Sequence, residues 1–233
     1  MQFKTTLAVA LISVSLLGLT ACQESEQDVI KDAQYCMDDA RTSSQAQACI
    51  SKLEGIETPA AYVIRCAGEF IAQGFTSPSR LVDVIDALKA DGGTAGLLGF
   101  MSFTDLTSAN RAFTSCTKSN QKGMNLLAAL MRTATTITST DSSIIAGLTA
   151  NPPVYPTEQQ VKDAIDNVLT AGNEEVIGET IKTVYQVSCG SGSPANADVC
   201  NQINDAAASY GGISSASAAD IGAYLLNEWK NGQ

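Results

Sequence analysis

Residues 157–188 read TEQQVKDAIDNVLTAGNEEVIGETIKTVYQVS, and this stretch decides the fold class. Thr157 with Gln160 three residues on is a capping box, in which each side chain satisfies the other's free backbone N–H at a helix start. Val161, Ala164, Ile165 and Val168 then recur at intervals of three and four, which places them on one helical face. Gly172 marks a stop. Asn173 opens a second run, where Glu174 and Glu175 suit the positive end of a helix dipole. Ile177, Ile181 and Val184 repeat the spacing. Two such helices joined only by Gly172 and Asn173 are antiparallel neighbours.

The same grammar extends in both directions. Val63, Ala67, Phe70 and Ile71 predict one apolar stripe, Leu106, Ala109, Phe113 and Cys116 another, and Ile221, Leu225 and Trp229 a third. Thr58-Pro59, Ser77-Pro78 and Ser193-Pro194 each put a capping hydroxyl before a proline at the first helical position, where the missing N–H costs nothing. Gly55, Gly74 and Gly211-Gly212 are further stops. The predicted helices are 27–41, 45–54, 59–73, 78–90, 94–102, 105–119, 122–138, 142–149, 158–171, 174–187, 195–210 and 216–230. Only Thr133–Thr140 has a strand-like composition. The expected fold is all-α: an irregular array of antiparallel helix hairpins, tetratricopeptide-like or a bundle, stapled by disulfides. The Trp-Leu-Gly-Tyr pattern of a 34-residue repeat does not occur. Asn151-Pro152-Pro153-Val154-Tyr155-Pro156 is the strongest interior break. It separates a helical lobe at 28–150 from one at 157–233, with room for a shared core.

The first 22 residues carry different information. Lys4 is the lone charge before the apolar run Leu7–Leu19, which is too short for a comfortable membrane span. Leu19-Thr20-Ala21-Cys22 follows. This segment resembles a bacterial lipoprotein signal peptide ending in a lipobox. The resemblance implies a signal peptide at 1–21, acylation of the Cys22 thiol, cleavage before it and a short lipidated tether at 22–27. Acyl chains anchor strongly because each buried CH₂ contributes about 0.8 kcal/mol. Gln23, where an aspartate would favour inner-membrane retention in enteric bacteria, leans towards the outer membrane, facing the periplasm.

With Cys22 acylated, Cys36, Cys49, Cys66, Cys116, Cys189 and Cys200 remain, an even set that in an exported chain reads as three disulfides. A zinc site would need Cys-x-x-Cys pairs, and none occurs. Cys189 and Cys200 bracket a Gly-Ser-Gly-Ser-Pro loop and form the clearest pair. Cys36 and Cys49 lie symmetrically about Arg41–Ser44, which would leave Cys66 for Cys116. Cys49 and Cys66 are equally symmetric about Gly55–Thr58, which would leave Cys36 for Cys116.

Composition narrows the chemistry. The chain has 233 residues, 45% hydrophobic and 16% charged, so a sizeable core is available. Loss of residues 1–21 removes Lys4 alone from the 14 basic residues, and 13 bases then face 24 acids, a net charge of −11. That balance argues against duplex nucleic acid and against electrostatic adhesion to anionic lipid. There is no histidine, so Ser-His and Cys-His nucleophile pairs are excluded.

Ser115-Cys116-Thr117-Lys118 matches Ser-x-x-Lys, but the companion motifs of serine acyl-enzymes are absent from the sequence. Gly190-Ser191-Gly192-Ser193-Pro194-Ala195 imitates a dinucleotide fingerprint without the strand such a motif requires. Asp28, Asp32 and Asp39, with Asp38 beside them, form an acidic helical face that lacks calcium-loop spacing. Residues 92–103 are glycine-rich, apolar and uncharged. They form either a buried helix whose glycines permit close packing, or an exposed patch in which Leu97, Leu98, Phe100, Met101 and Phe103 meet a partner. No cofactor or metal is implied. The leading expectation is a membrane-anchored envelope lipoprotein acting as a non-enzymatic helical scaffold or adaptor. The alternatives are an envelope-polymer hydrolase using carboxylates or Ser115 and Lys118, and a protein that binds a small apolar ligand.

Overall fold

The computed structural model describes residues 26–75, 98–148, 150, 154, 156–189 and 197–231. The signal peptide, Cys22, the expected helix 78–90, the starts at Ser77-Pro78 and Ser193-Pro194, and Leu97 lie outside them. Every regular element among the described residues is helical, with no strand. The helices are α1 (residues 26–39), α2 (Ser43–Ser51), α3 (Pro59–Ala72), α4 (Leu106–Lys118), α5 (Lys122–Ser139), α6 (Ser142–Leu148), α7 (Glu158–Ala171), α8 (Glu174–Ser188), α9 (Ala197–Ala208) and α10 (Ala218–Asn231). Of the expected helix 94–102, residues 98–102 are described; 98–101 are helical and Ser102 lies beyond the helix.

The local signals act as their chemistry requires. Thr58 accepts a hydrogen bond from the Ala61 N–H ahead of Pro59. Thr157 and Gln160 form both halves of the capping box. A second box, Thr42 with Gln45, starts α2. Gly172 ends α7 in the left-handed region at φ 73°, where a side chain would be strained. Asn173 precedes α8 without a side-chain capping bond, and Glu174 and Glu175 form the acidic first turn, as their position predicts.

Cysteines pair as 36–49, 66–116 and 189–200, with Cα separations of 5.6, 4.9 and 5.8 Å. The alternative pairing of Cys49 with Cys66 is thereby excluded. Cys36–Cys49 ties α1 to α2, and Cys66–Cys116 ties α3 to α4 with both cysteines fully buried.

Helices α1, α2 and α3 enclose one cluster, including Ala33, Met37, Cys49, Leu53 and Ile64. Helix α4 packs on α3, α5 on α4, and α8 on both α5 and α10, whereas α7 packs on α5 and α10 and not along α8, so the antiparallel pairing expected across Gly172 and Asn173 does not form. A further cluster joins Ile137 and Ile144 to Ala164, Ile165, Val168, Ile177 and Leu226. The core therefore crosses the proline-rich break that divides the sequence.

The Thr133–Thr140 stretch lies in and just beyond α5 despite its β-branched composition. Each buried hydroxyl finds a partner: Thr135 donates to the Met131 carbonyl at 2.7 Å, Thr136 to Arg132 at 2.9 Å and Thr138 to Ala134 at 3.0 Å. Thr135 also accepts from the Phe103 backbone N–H at 2.8 Å. Tertiary burial and these bonds outweigh a propensity deficit of a few tenths of a kcal/mol per residue. Thr135→Val keeps the shape but strands the buried Phe103 N–H. It should lower unfolding free energy by about 1–3 kcal/mol in a urea titration. A loss well under that range would mean the bond contributes little.

Candidate functional site

Helix α3 is apolar on more than one face, and the structure uses the faces differently. Ala61, Ile64, Gly68 and Ala72 enter the core. Val63 and Ala67, which the sequence spacing places in a core stripe with Phe70 and Ile71, are only half-buried. They line an open groove between α3 and α1. One end of the groove, of about 570 Å³, includes Ile30, Met37, Pro59, Val63 and Ala67, with Ser119 and Gln121 beside them. The other, of about 900 Å³, runs past Ala40, Ser43, Ile71 and Gly74. The two share Met37, Asp38 and Ala67 and so are continuous. Ile30 lies at the end that holds Pro59 and Ala40 at the end that holds Gly74, so α1 and α3 run parallel.

The opposite flank of α3 is polar. A cavity of about 440 Å³ between α2, α3 and α4 is lined by Ile50, Arg65, Glu69, Asn110, Arg111 and Ser115, among others. Glu69 is 3% exposed, and Arg111 grips it with two donors, Nε at 3.0 Å and Nη2 at 3.3 Å. Arg111 Nη2 also donates to Ser108 Oγ at 3.1 Å. Ser108 in turn donates its N–H and hydroxyl to Asp105 at 2.7 and 2.8 Å. A carboxylate this buried requires such a partner, because a lone charge away from water is strongly disfavoured.

At the α3–α4 edge, the Tyr62 hydroxyl donates to Glu57, and the Lys118 ammonium donates to Tyr62 at 2.8 Å and to Glu57 at 3.4 Å. Lys118 and Arg65 also sit 4.8 and 4.9 Å from the centre of the Tyr62 ring. The hydrogen bond to Tyr62, joined by the charge of Glu57, holds the Lys118 ammonium above its ordinary pKa. Activation of Ser115 requires a neutral lysine, so this environment works against the Ser115–Lys118 pair. Ser115 itself is buried at 9% exposure, one residue before the Cys116 disulfide.

Asp105 gives this region a pH dependence. Partial burial opposes its charge, but bonds from Ser108 and the nearby Arg111 outweigh that and hold its carboxyl below the ordinary aspartate range. The folded chain thus releases this proton more readily than the unfolded chain. The associated stability is present above the unfolded pKa of about 3.9 and is lost as pH falls through the lower folded value. Asp105→Asn, which keeps a capping oxygen, should flatten the fall in melting temperature below about pH 4. An acid limb as steep as the parent's would remove Asp105 from that account.

The candidates from residues 92–103 are mostly drawn inward. Phe103 is 4% exposed and packs edge-on against Phe70, with ring centroids 5.8 Å apart. It therefore cannot belong to an exposed patch. Met101 packs against the Phe103 cluster, Leu98 against the Ile137–Leu226 cluster, and Phe100 lies edge-on to Phe75 at 5.8 Å. Asp28, Asp32, Asp38 and Asp39 are all exposed on α1. The dinucleotide-like loop lies outside the described residues. The α1–α3 groove and the Glu69–Arg111 pair were not singled out from sequence. The available signal was an α3 with more apolar residues than one buried face needs, carrying Glu69 among them.

No known protein family, curated protein or solved structure matches the chain. Among the described residues no helix is long and apolar enough to cross a membrane.

Proposed function

We propose that the chain is a bacterial envelope lipoprotein, acylated on Cys22, held at the outer membrane facing the periplasm, with a helical domain that acts as a scaffold or adaptor rather than an enzyme. The observation that carries the adaptor reading is the open α1–α3 groove, whose apolar walls are backed by a closed core. Export is supported by the lipobox sequence and by three disulfides, which persist in oxidising compartments. The hydrolase alternative loses its named pair, because Lys118 is committed to Tyr62 and Glu57. An apolar small molecule in the same groove is the remaining alternative.

The test has two arms. Mass spectrometry of the native leading peptide should show Cys22 as the first residue, bearing acyl chains. A photo-crosslinking amino acid at Val63, in the groove, should give one discrete protein adduct in the producing bacterium. The same group at Asp163, exposed on α7, should give none. An unmodified leading peptide removes the anchor. Adducts at both positions, or at neither, remove the adaptor.

A further inference from the structure

We infer that one end of the domain, formed by the first turns of α1 and α3 and the α4–α5 turn, stands against the phospholipid bilayer that holds the Cys22 acyl chains. This rests on the anchoring proposed above. Its first support is reach. Residue 26 is already helical in α1, and four residues of fully extended chain from Cys22 span at most about 14 Å. Acylation fixes the cysteine at the membrane surface, so the first turn of α1 is held within that distance of it.

The second support is what shares that end. Ile30, Pro59, Ser119 and Gln121 line one cavity, so α1, α3 and the α4–α5 turn terminate together. The far end gathers Ala40, Ser43 and Gly74, with Thr104 bonded to Gln73. Fourteen residues of α1 at 1.5 Å each set the two ends roughly 20 Å apart, farther than the tether reaches.

The third support is charge. If α1 lay flat, Asp32, Asp38 and Asp39, all exposed, would press on lipid phosphates. Upright, α1 brings Glu26 and Asp28 near the surface without the other three aspartates, beside exposed Pro59 and Val29, and Lys118 there is matched by Glu57. The surface lacks the basic excess that draws proteins to anionic lipid. The acyl chains hold the domain there, and the choice of headgroup should not matter.

The full-length acylated protein, reconstituted into phosphatidylcholine vesicles containing nitroxide-headgroup lipid, tests the orientation. A fluorescent amino acid replaces Gly123, where an added Cβ meets nothing within 4 Å, or the exposed Ser43 at the far end. Each labelled protein is first shown to retain its helicity and three disulfides. Quenching should be several-fold stronger at position 123 than at 43, and unchanged when phosphatidylglycerol is added. Equal quenching, stronger quenching at 43 or none at either position overturns the orientation. Failure of anchoring would look different: the leading peptide would lack acyl mass, and the protein would not float with the vesicles.

Discussion

Gly178→Ala should destabilise the protein by about 3 kcal/mol or more, although alanine is the better helix former. Helix α8 carries Gly178 where it crosses α10, and α10 carries Gly222 facing back. A Cβ on Gly178 would stand 1.6 Å from the Ala218 carbonyl oxygen, and one on Gly222 would stand 1.9 Å from that of Glu174. Both obstacles are backbone atoms inside or beside helices, so no rotamer change relieves them and the helices must part. Propensity alone predicts a gain of about 1 kcal/mol, so the two effects differ in sign and the experiment decides between them. Gly123→Ala is the control, with open space around its Cβ, and it should be neutral or slightly stabilising. Urea unfolding of both variants measures the contrast. If Gly178→Ala matched Gly123→Ala, the close crossing of α8 and α10 would be wrong.

Removing the Cys66–Cys116 bridge should have the next largest effect. It closes a separation of 50 residues, against 13 for Cys36–Cys49 and 11 for Cys189–Cys200. In the chain-entropy treatment a bridge of that span contributes about 4 kcal/mol and each short one about 3. Both of its cysteines are fully buried, so alanine pairs are the suitable replacements, and they add a small cavity cost. The Cys66→Ala/Cys116→Ala protein should therefore unfold at the lowest urea concentration of the three double variants. A reversed order, or a loss below about 1 kcal/mol, would show that the unfolded state is already constrained near these residues.

Much of the fold can be read in the chain because its helix punctuation is local. Thr157 with Gln160, Thr58 before Pro59, and Gly172 each act through neighbours within four residues, and α7 runs over the span that they predict. The disulfides were only partly legible. Symmetry about a turn favoured Cys36–Cys49 and Cys49–Cys66 equally, and only the packing of α3 on α4 separates them. The candidate site was less legible still. The charge-free segment reads either as a buried helix or as a surface, and Phe103 is settled as buried only by contacts with Phe70 and Thr135, far away in sequence. Conversely, the stripe of Val63 and Ala67 reads as core and becomes the wall of an open groove. Which apolar face is covered depends on where other helices end, and residue spacing does not encode that. Close glycine packing was expected in residues 92–103; among the described residues its tightest instance joins Gly178 to Gly222.

The three bridges have one more property: each cysteine is bonded to the next one along the chain, once Cys22 is set aside. A polypeptide threaded out of a membrane from its N-terminus would present Cys49 to a waiting Cys36, then Cys116 to Cys66, then Cys200 to Cys189. If the Cys22 thiol is acylated first, the first available thiol at every stage is the correct one. Such a chain can mature with an oxidant alone, without the slow reshuffling that non-consecutive connectivities demand of an isomerase.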